Sequence, residues 1–218
     1  MSIEREIKLA LPTSEHGEVA KDLTQRTGQE GRKIQFTNVY FDTPDRALAK
    51  AKSAVRLRGT RGQWLQTYKT AGESTGGLHN RHEWERPVAG EALEIPALLE
   101  ICDDQNAANA LSDAAPELAA LFRTDFSRVI WDVEIDGAKI EAALDLGEVI
   151  ADVNGERMTT PISELELELK SGNEEALNSL AAQMRGAFLY LQPEDASKAS
   201  RGYELCAPKL AGSNGDVK

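Results

Sequence analysis

Charged side chains stand at every second position in three short segments of the chain, and all the intervening residues except Arg5 are apolar. Residues 4–8 read Glu-Arg-Glu-Ile-Lys, residues 56–58 read Arg-Leu-Arg, and residues 164–168 read Glu-Leu-Glu-Leu-Glu. In a β-strand, side chains two positions apart lie on the same face, so each segment would present its charges together. Three carboxylates in a row repel one another, and exposure to solvent gives no reason to concentrate them. We therefore expect a cation between them.

These side chains suit two kinds of chemistry. Clustered carboxylate oxygens bind hard divalent cations such as Mg²⁺ or Mn²⁺. Guanidinium groups two residues apart can form paired hydrogen bonds to phosphoryl oxygens, and further cations are available at Lys8, Lys69, Lys198 and Arg201. With only three histidines in the chain, no zinc site is indicated. Carboxylates for a metal and cations for phosphate together describe a site for phosphoryl transfer.

The elements that carry these charges are predicted to be strands. Alternation predicts strands over residues 3–9, 33–42, 54–59, 63–70, 79–88, 126–135, 138–144, 148–153 and 161–170. Helices are predicted from Thr13 or Ser14 to about Thr27, ending at Gly28, then over 46–52, in short pieces between 92 and 121, over 173–188, and as a short helix or extended arm over 196–205. If the strands close into a barrel with helices outside, the leucine faces pack outward and the charged faces line the bore.

Length and composition favour one globular domain. The 218 residues are 41% hydrophobic, and 25 Lys and Arg against 36 Asp and Glu give a net charge of −11. Nucleic acid and anionic membranes reward a positive field, so neither is expected as a partner. The charged N-terminus does not resemble a secretory signal, and no apolar run approaches the roughly twenty residues of a membrane span. With two cysteines expected to be reduced, these features predict a cytoplasmic protein.

Four motifs follow one another in a recognisable order. Glu-x-Glu-x-Lys occupies residues 4–8, Tyr-Phe-Asp-Thr-Pro occupies 40–44, Arg-x-Arg occupies 56–58, and a lysine follows at Lys69. From residue 1 to about 205, this order resembles the CYTH, or triphosphate tunnel metalloenzyme, family, which includes class IV adenylyl cyclases, thiamine triphosphatases and inorganic triphosphatases. Bacterial inorganic triphosphatases look especially similar at residues 75–83, 124–128, 143–148, 164–168 and 197–203.

The resemblance implies an α+β fold built on an antiparallel eight-stranded closed β-barrel, with a charged lumen and helices packed outside. It would occupy residues 1–205 as one triphosphate tunnel domain, followed by a flexible tail over 206–218. The activity implied is metal-dependent hydrolysis of inorganic triphosphate to pyrophosphate and orthophosphate inside the tunnel. The expected partner is a small-molecule triphosphate, and a homodimer is a candidate assembly.

The resemblance also implies roles for individual residues. Ligands for Mg²⁺ or Mn²⁺ would be Glu4, Glu6, Glu166 and Glu168, supported by Glu83 and Asp145. Cations holding the triphosphate would be Lys8, Arg56, Arg58, Lys69, Arg128, Lys198 and Arg201. Catalysis would depend on Glu4, Glu6 and Lys8, with the general base left open between a metal-bound water positioned by either glutamate and participation of Lys8.

Several readings remain open at this point. Arg81 and Arg123 fit either the site or its rim, whereas Tyr40 and Trp84 are predicted to pack and Ser197 to cap the last helix. A class IV adenylyl cyclase and a thiamine or nucleoside triphosphatase are the enzymatic alternatives. A polyphosphate-binding module without turnover is the non-enzymatic alternative, although so many carboxylates would weaken pure anion capture.

Overall fold

A computed structural model describes residues 3–60, 62–70 and 72–207, and most of the predicted tail over 206–218 lies outside these residues. Its strands are β1 (Ile3–Ala10), β2 (Arg32–Asp42), β3 (Ser53–Thr60), β4 (Gln63–Thr70), β5 (Glu73–Thr75), β6 (Leu78–Val88), β7 (Ala119–Ile135), β8 (Ala138–Val153), β9 (Glu156–Ser171) and β10 (Gln192–Pro193). Its helices are α1 (His16–Thr27), α2 (Ala47–Lys50), α3 (Ile95–Leu99), α4 (Gln105–Ala114), α5 (Glu174–Ala187) and α6 (Lys198–Leu205). Within the described residues, none of these helices has the length and apolar character needed to cross a membrane.

Eight of the strands close into a barrel. Neighbouring strands follow the order β1-β9-β8-β7-β2-β3-β4-β6, and β6 pairs back with β1 through residues 78–82 against residues 3–7. All the pairings around the ring are antiparallel. The short strands β10 and β5 add to β1 and β6 respectively. The predicted antiparallel eight-stranded closed barrel is therefore confirmed.

The largest hydrophobic core lies outside the barrel. On β9, Leu165 and Leu167 are fully buried in a cluster that also contains Leu23 of α1 and Leu177 and Leu180 of α5. Burial of each such side chain stabilises the fold by about 1.5–3 kcal/mol. Because successive side chains on a strand lie on opposite faces, this outward packing turns the intervening glutamates toward the bore.

A second outer cluster covers β3, β4 and β6 with the short helices α2 to α4. Its buried members include Val55, Tyr68, Trp84 and Leu98. The indole Nε1 of Trp84 also donates a 2.9 Å hydrogen bond to the Asp103 carboxylate. The predicted packing role of Trp84 is therefore confirmed.

The last helix departs from the expectation that helices lie outside. Tyr203 of α6 packs in one cluster with Phe122 and Phe126 of β7, and both Tyr203 and Phe126 line the central cavity. Ser197 caps α6 as predicted, because its side chain accepts a hydrogen bond from the backbone N–H of Ser200. Of the segment predicted over 196–205 as a short helix or extended arm, residues Lys198–Leu205 form a helix that is part of the lumen wall.

Three strand boundaries differ from the predicted ones. Composition predicts helix up to residue 121, but β7 already begins at Ala119 because residues 119–123 pair with β2. This pairing outweighs the modest helix propensity of Ala and Leu. β8 runs unbroken through Gly147, and β9 begins at Glu156 rather than at residue 161.

The first helix begins later than predicted. Residues Thr13–Glu15 form a 3₁₀ turn, and α1 starts at His16 without a side-chain cap. The predicted end at Gly28 is confirmed, since this glycine adopts a left-handed conformation with φ of 68°.

Gly147 lets β7 and β8 approach closely, so its substitution should destabilise the barrel. A Cβ at this position would lie 2.1 Å from the carbonyl oxygen of Asp125 and 2.5 Å from the Cα atom of Phe126. Because these are backbone atoms, we expect Gly147→Ala to lower the free energy of unfolding by at least about 2 kcal/mol. Urea denaturation measures this change.

Gly17→Ala is the matched control for that measurement. Nothing lies within 4 Å of a Cβ built at Gly17, which belongs to α1. Because alanine favours helix, this variant should be at least as stable as the parent. A Gly147→Ala protein as stable as the parent would contradict the close approach.

Candidate active site

The bore of the barrel contains a charged cavity of about 1000 Å³. The predicted site residues that line it are Glu4, Glu6, Lys8, Arg56, Arg58, Lys69, Glu83, Arg128, Glu166, Glu168 and Lys198. Asp145 and Arg201 are not among the lining residues of the described chain. Asp145 is fully buried, and Arg201 bonds to Glu164. Both therefore act, in this structure, on residues of the wall rather than on the cavity itself.

Strand register explains why the predicted residues converge. Glu6 on β1 lies opposite Glu168 on β9, and Lys8 lies opposite Glu166. A shift of one residue in this pairing would turn all of these charges into the outer hydrophobic core. The packing of the outer leucines therefore fixes which side chains reach the cavity.

The N-terminal carboxylates are held by cations from two other strands. Lys69 Nζ donates to both carboxylate oxygens of Glu4 at 2.8 and 3.0 Å, and Arg81 Nε donates to Glu4 at 2.7 Å. Arg81 also donates to Glu6 at 2.6 Å. Burial alone would raise the pKa of Glu4, but Lys69 and Arg81 outweigh it and hold that pKa far below its usual range.

Two arginines left open by the sequence occupy different places. Arg81 lies in the cavity wall, where it bridges Glu4 and Glu6. The side chain of Arg123 is 53% exposed and pairs with Asp125 at 3.0 Å. Arg81 therefore belongs to the site, whereas Arg123 lies at the surface.

Three buried carboxylates surround the ammonium group of Lys198. Oxygens of Asp145, Glu164 and Glu166 lie within 4.8 Å of one another, close enough to share one cation. Lys198 Nζ is 2.6 Å from Asp145 Oδ2 and 3.0 Å from Glu166 Oε1, and it also bonds to Glu164. Burial would lower the pKa of Lys198, but the three carboxylates raise it well above its usual value. The cation expected between the glutamates of β9 is thus, here, a lysine.

Two arginines complete the neutralisation of this cluster. Arg128 donates through Nε and Nη2 to Asp145 at 2.7 Å each, and also bonds to Glu166. Arg201 bonds to Glu164. Burial would raise the pKa of Glu166, but Lys198 and Arg128 hold it well below its usual range. Glu164, which was not in the predicted ligand set, belongs to the same two-residue alternation that located its neighbours.

Negative charge is least compensated around Glu168. Its carboxylate pairs with Lys170 at 2.6 Å, and Lys170 also lies 3.9 Å from Glu141. Burial raises the pKa of Glu168, and the nearby charges of Glu4 and Glu141 raise it further, against the effect of Lys170. This part of the cavity therefore favours an additional cation. Lys170 and Glu141 were missing from the predicted site, although Lys170 continues the alternation of β9.

Positive charge is least compensated around Arg58. Among the described residues no carboxylate lies within 4.0 Å of its guanidinium, which donates to Asn38 Oδ1 at 2.9 Å. Burial and the nearby guanidiniums of Arg56 and Arg128 lower the pKa of Arg58 to about 10, so it stays charged at neutral pH. The Nε atom of Arg56 is buried without a hydrogen-bond partner, and Glu83 lies 3.9 Å from its guanidinium. This wall therefore favours an anion.

Aromatic rings support the cations of the basic wall. Phe36 lies under Arg58, with 4.6 Å from Cζ to the ring centroid, and Phe126 lies 4.9 Å from Lys198 Nζ. Such cation–π contacts hold a charge in place without neutralising it. Tyr40 stacks on a neighbouring ring as predicted, but it also lines the cavity, where Arg56 outweighs burial and lowers its pKa. The sequence analysis did not identify Phe36 and Phe126 as supports for these cations.

The closed antiparallel barrel thus encloses a bore lined by carboxylates on one part of its wall and by guanidinium and ammonium groups on another. The sequence profile of the CYTH domain matches residues 2–203, and the chain belongs to this family. An inorganic triphosphatase of Haemophilus influenzae is 36% identical over 205 residues, which are 93% of this chain and 54% of that relative. The chain thus spans about half the length of the curated relative it matches.

Two solved structures share the fold. One is a Hippeastrum protein, described as an adenylyl cyclase with a dominant triphosphatase activity, with a TM-score of 0.68 and 20% identity over 95% of this chain and 99% of the other. The other is an adenylate cyclase candidate from Bacillus halodurans, with a TM-score of 0.59 and 20% identity over 92% and 98%. At this level of identity the likeness extends to the barrel architecture alone.

Removing the Glu166 carboxylate should destabilise the barrel. Glu166→Gln leaves buried Lys198 and Arg128 with less counter-charge, so we expect the free energy of unfolding at pH 7 to fall by about 3 kcal/mol. Because the folded-state pKa of Glu166 lies below its ordinary value of 4.5, this advantage of the parent is fully present above pH 4.5. It is lost as the pH falls through the folded-state pKa.

Urea denaturation at pH 7 and at acid pH checks this expectation. Glu134→Gln is the control, since the side chain of Glu134 is 78% exposed. This control should unfold like the parent at both pH values. Equal stability of Glu166→Gln and the parent at pH 7 would contradict the proposed charge balance.

Proposed function

We propose that this chain is a metal-dependent inorganic triphosphatase that hydrolyses tripolyphosphate to pyrophosphate and orthophosphate inside the barrel. The observation that carries the proposal is a pair of neighbouring guanidiniums that face a carboxylate-lined wall across one cavity. The buried Nε atom of Arg56 has no hydrogen-bond partner among the described residues, and none of their carboxylates lies within 4.0 Å of the Arg58 guanidinium. The name of the Haemophilus influenzae relative supports the same activity.

A polyphosphate fits the basic wall because it offers several charged oxygens in a row. Buried guanidiniums without full counter-charges are costly, and phosphoryl oxygens would supply the missing hydrogen bonds. We assign Arg56 and Arg58 as the primary anchors of the substrate. The other proposed contacts are Lys8, Lys69, Arg128 and Lys198. Arg201, predicted as a further contact, bonds to Glu164 of the wall, and we propose that it supports the site from there.

The acidic wall fits Mg²⁺ or Mn²⁺, because its donors are all carboxylate oxygens and its surplus negative charge lies around Glu168. The ligands we propose are Glu4, Glu6, Glu166 and Glu168, with Glu83 and Asp145 in support. A bound divalent ion would supply Lewis-acid polarisation of the phosphoryl oxygens. Arg81 and Lys69 hold Glu4 in this structure, so the ion competes with them for its oxygens.

Three residues are proposed to act on the attacking water or on the transferred phosphoryl group. Glu4 or Glu6 would accept a hydrogen bond from this water and orient it in line with the terminal phosphorus. Lys8 is buried, with its ammonium 3.8 Å from Glu6 and 3.3 Å from Glu166. From this position it would stabilise negative charge on the transferred phosphoryl group.

A nucleotide-directed activity is the second candidate. The cavity of about 1000 Å³ is at the upper end of pockets for drug-sized ligands, so it has room for more than three phosphates. A class IV adenylyl cyclase or a thiamine or nucleoside triphosphatase would use this extra volume. A polyphosphate-binding module without turnover is the non-enzymatic candidate.

We infer that the triphosphate tunnel domain occupies residues 1–205 and that the protein is cytoplasmic. The acidic composition and the free thiols of Cys102 and Cys206 support this location. A small-molecule triphosphate is the proposed partner, rather than nucleic acid or a membrane. A homodimer is a candidate assembly, which sedimentation would test.

Phosphate release from tripolyphosphate, ATP and thiamine triphosphate, each with Mg²⁺ or Mn²⁺, tests the activity directly. A cyclic AMP assay on the same ATP reactions tests the cyclase alternative. We expect the highest kcat/KM with tripolyphosphate and no turnover when EDTA removes the metal. Tight tripolyphosphate binding without release of phosphate would instead support the binding module.

We expect that lysine cannot take over the function of either anchoring arginine. We expect Arg56→Lys and Arg58→Lys to lower kcat/KM for tripolyphosphate by at least about tenfold, because lysine lacks the planar fork that bonds two oxygens. Arg123→Lys is the matched control, since Arg123 is exposed outside the cavity. Steady-state kinetics measure all three variants. Parent-like values for both cavity variants would remove these arginines from the proposed site.

If Glu168 is a metal ligand, its substitution should cause a loss of turnover that added metal reverses in part. We expect Glu168→Gln to lower turnover by about a hundredfold at limiting Mg²⁺ and to regain part of it at high Mg²⁺, because one ligand is weakened. Titration of activity against metal concentration measures the shift, with Glu134→Gln as the exposed control. An unchanged metal dependence in Glu168→Gln would exclude this carboxylate from the metal site.

A further inference from the structure

Two sequence motifs contact each other in the structure. The proposed chemistry assigns them no shared role. Asp42 belongs to the Tyr-Phe-Asp-Thr-Pro motif, and Tyr203 ends the similar stretch at residues 197–203. The Tyr203 hydroxyl donates a 2.9 Å hydrogen bond to Asp42 Oδ2. Asp42 is 2% exposed, so the acceptor of this bond is buried.

The carboxylate of Asp42 joins three elements. It accepts backbone N–H groups from Thr43 at 2.8 Å, Leu48 at 2.9 Å and Ala49 at 3.0 Å, in addition to the hydroxyl of Tyr203. It therefore ties the end of β2 and the start of α2 to α6. Burial and the adjacent carboxylate raise the pKa of Tyr203, which is the effect expected when a phenol donates to an anion.

We propose that Asp42 and Tyr203 are positioning residues for the candidate active site. Their hydrogen bond fixes α6 so that the ammonium of Lys198 lies among the carboxylates of the cavity wall. Lys198 and Tyr203 lie on the same short helix, so holding one end of the helix sets the place of the other. The inference rests on the proposed function, in which Lys198 contacts the triphosphate.

Helix α6 is short, which explains why it needs a tertiary contact such as the hydrogen bond between Tyr203 and Asp42. It has eight residues, and helices this short are not stable without tertiary packing. Gly202 packs directly against the ring of Phe122, where a Cβ would lie 2.1 Å from the nearest ring carbon. The Arg46 guanidinium bonds to the carbonyl oxygen of Cys206, just beyond the last turn. Both contacts place Tyr203 beside Asp42.

The ion pairs of Lys198 could in principle hold α6 without help from Tyr203, and this alternative makes a different prediction. If the ion pairs suffice, removing the Tyr203 hydroxyl changes neither the mobility of α6 nor the affinity for triphosphate. If the hydrogen bond positions the helix, both change. Tyr203→Phe separates the two cases because it keeps the edge-to-face contact with Phe122.

The first measurement needs no activity. Hydrogen exchange of the backbone amides of residues 198–205 should be about tenfold faster in Tyr203→Phe, since a buried hydrogen bond to a carboxylate has been lost. Tyr190→Phe is the matched control, because the Tyr190 hydroxyl is buried without a hydrogen-bond partner in the described chain. Unchanged exchange of α6 in Tyr203→Phe would overturn the proposal.

The second measurement is the dissociation constant of tripolyphosphate, determined by calorimetry for the parent, Tyr203→Phe, Lys198→Ala and the double variant. We expect Tyr203→Phe to weaken binding about tenfold in the parent and to have little further effect when Lys198 is already alanine. A merely structural effect would weaken both backgrounds equally, and that outcome would overturn the positioning role. Tyr190→Phe should bind like the parent.

The two measurements distinguish failure of this proposal from failure of the proposed function. If the parent does not bind tripolyphosphate, the proposed function fails, and the role of Asp42 and Tyr203 in a triphosphate site fails with it, whatever the exchange data show. If the parent binds tripolyphosphate and Tyr203→Phe binds it equally well, only the positioning role fails. Asp42→Asn should accelerate the exchange of α6 at least as much as Tyr203→Phe, since it weakens the bond from Tyr203 and also the bond from the Ala49 backbone N–H.

Discussion

Charge balance in a buried space governs this structure. The barrel carries carboxylates and cations on its inner face, where each would be costly alone, so most of these charges depend on a partner of opposite sign. Glu166 shows the requirement most fully, because Lys198, Arg128 and Lys8 all approach it. Cations from β1, β7 and α6 neutralise Glu164 and Glu166, and Lys170 of β9 itself pairs with Glu168, so the strand can keep three inward glutamates.

The hydrophobic core lies on the outer face of the barrel. Since the inner face is occupied by charge, the apolar faces of the strands pack outward against α1 and α5 on one side and α2 to α4 on the other. Closure of the sheet is essential to this design, because an open sheet would expose its charged face and lose the mutual neutralisation. The exception is α6, whose lysine and tyrosine complete the inner wall.

The charge balance is incomplete in two places, and these two places determine which ions the cavity favours. Surplus negative charge around Glu168 favours a divalent cation, and surplus positive charge around Arg58 favours a polyanion. Phe36 holds Arg58 in position without cancelling its charge. A bound metal would therefore compensate the surplus negative charge of the bore, and a bound triphosphate would compensate its surplus positive charge.

The sequence by itself determined the strand faces and the family. Two-residue alternation placed Glu4, Glu6 and Lys8 on one face, and motif order indicated the barrel. Only the tertiary structure determined which polar side chains pair with one another: Lys198 with Asp145, Arg81 with Glu4, and Tyr203 with Asp42. These pairs join residues far apart in the chain, and alternation carries no information about strand order or closure. For the same reason, the strand character of residues 119–125 follows from pairing with β2 and cannot be read from their local helix propensity.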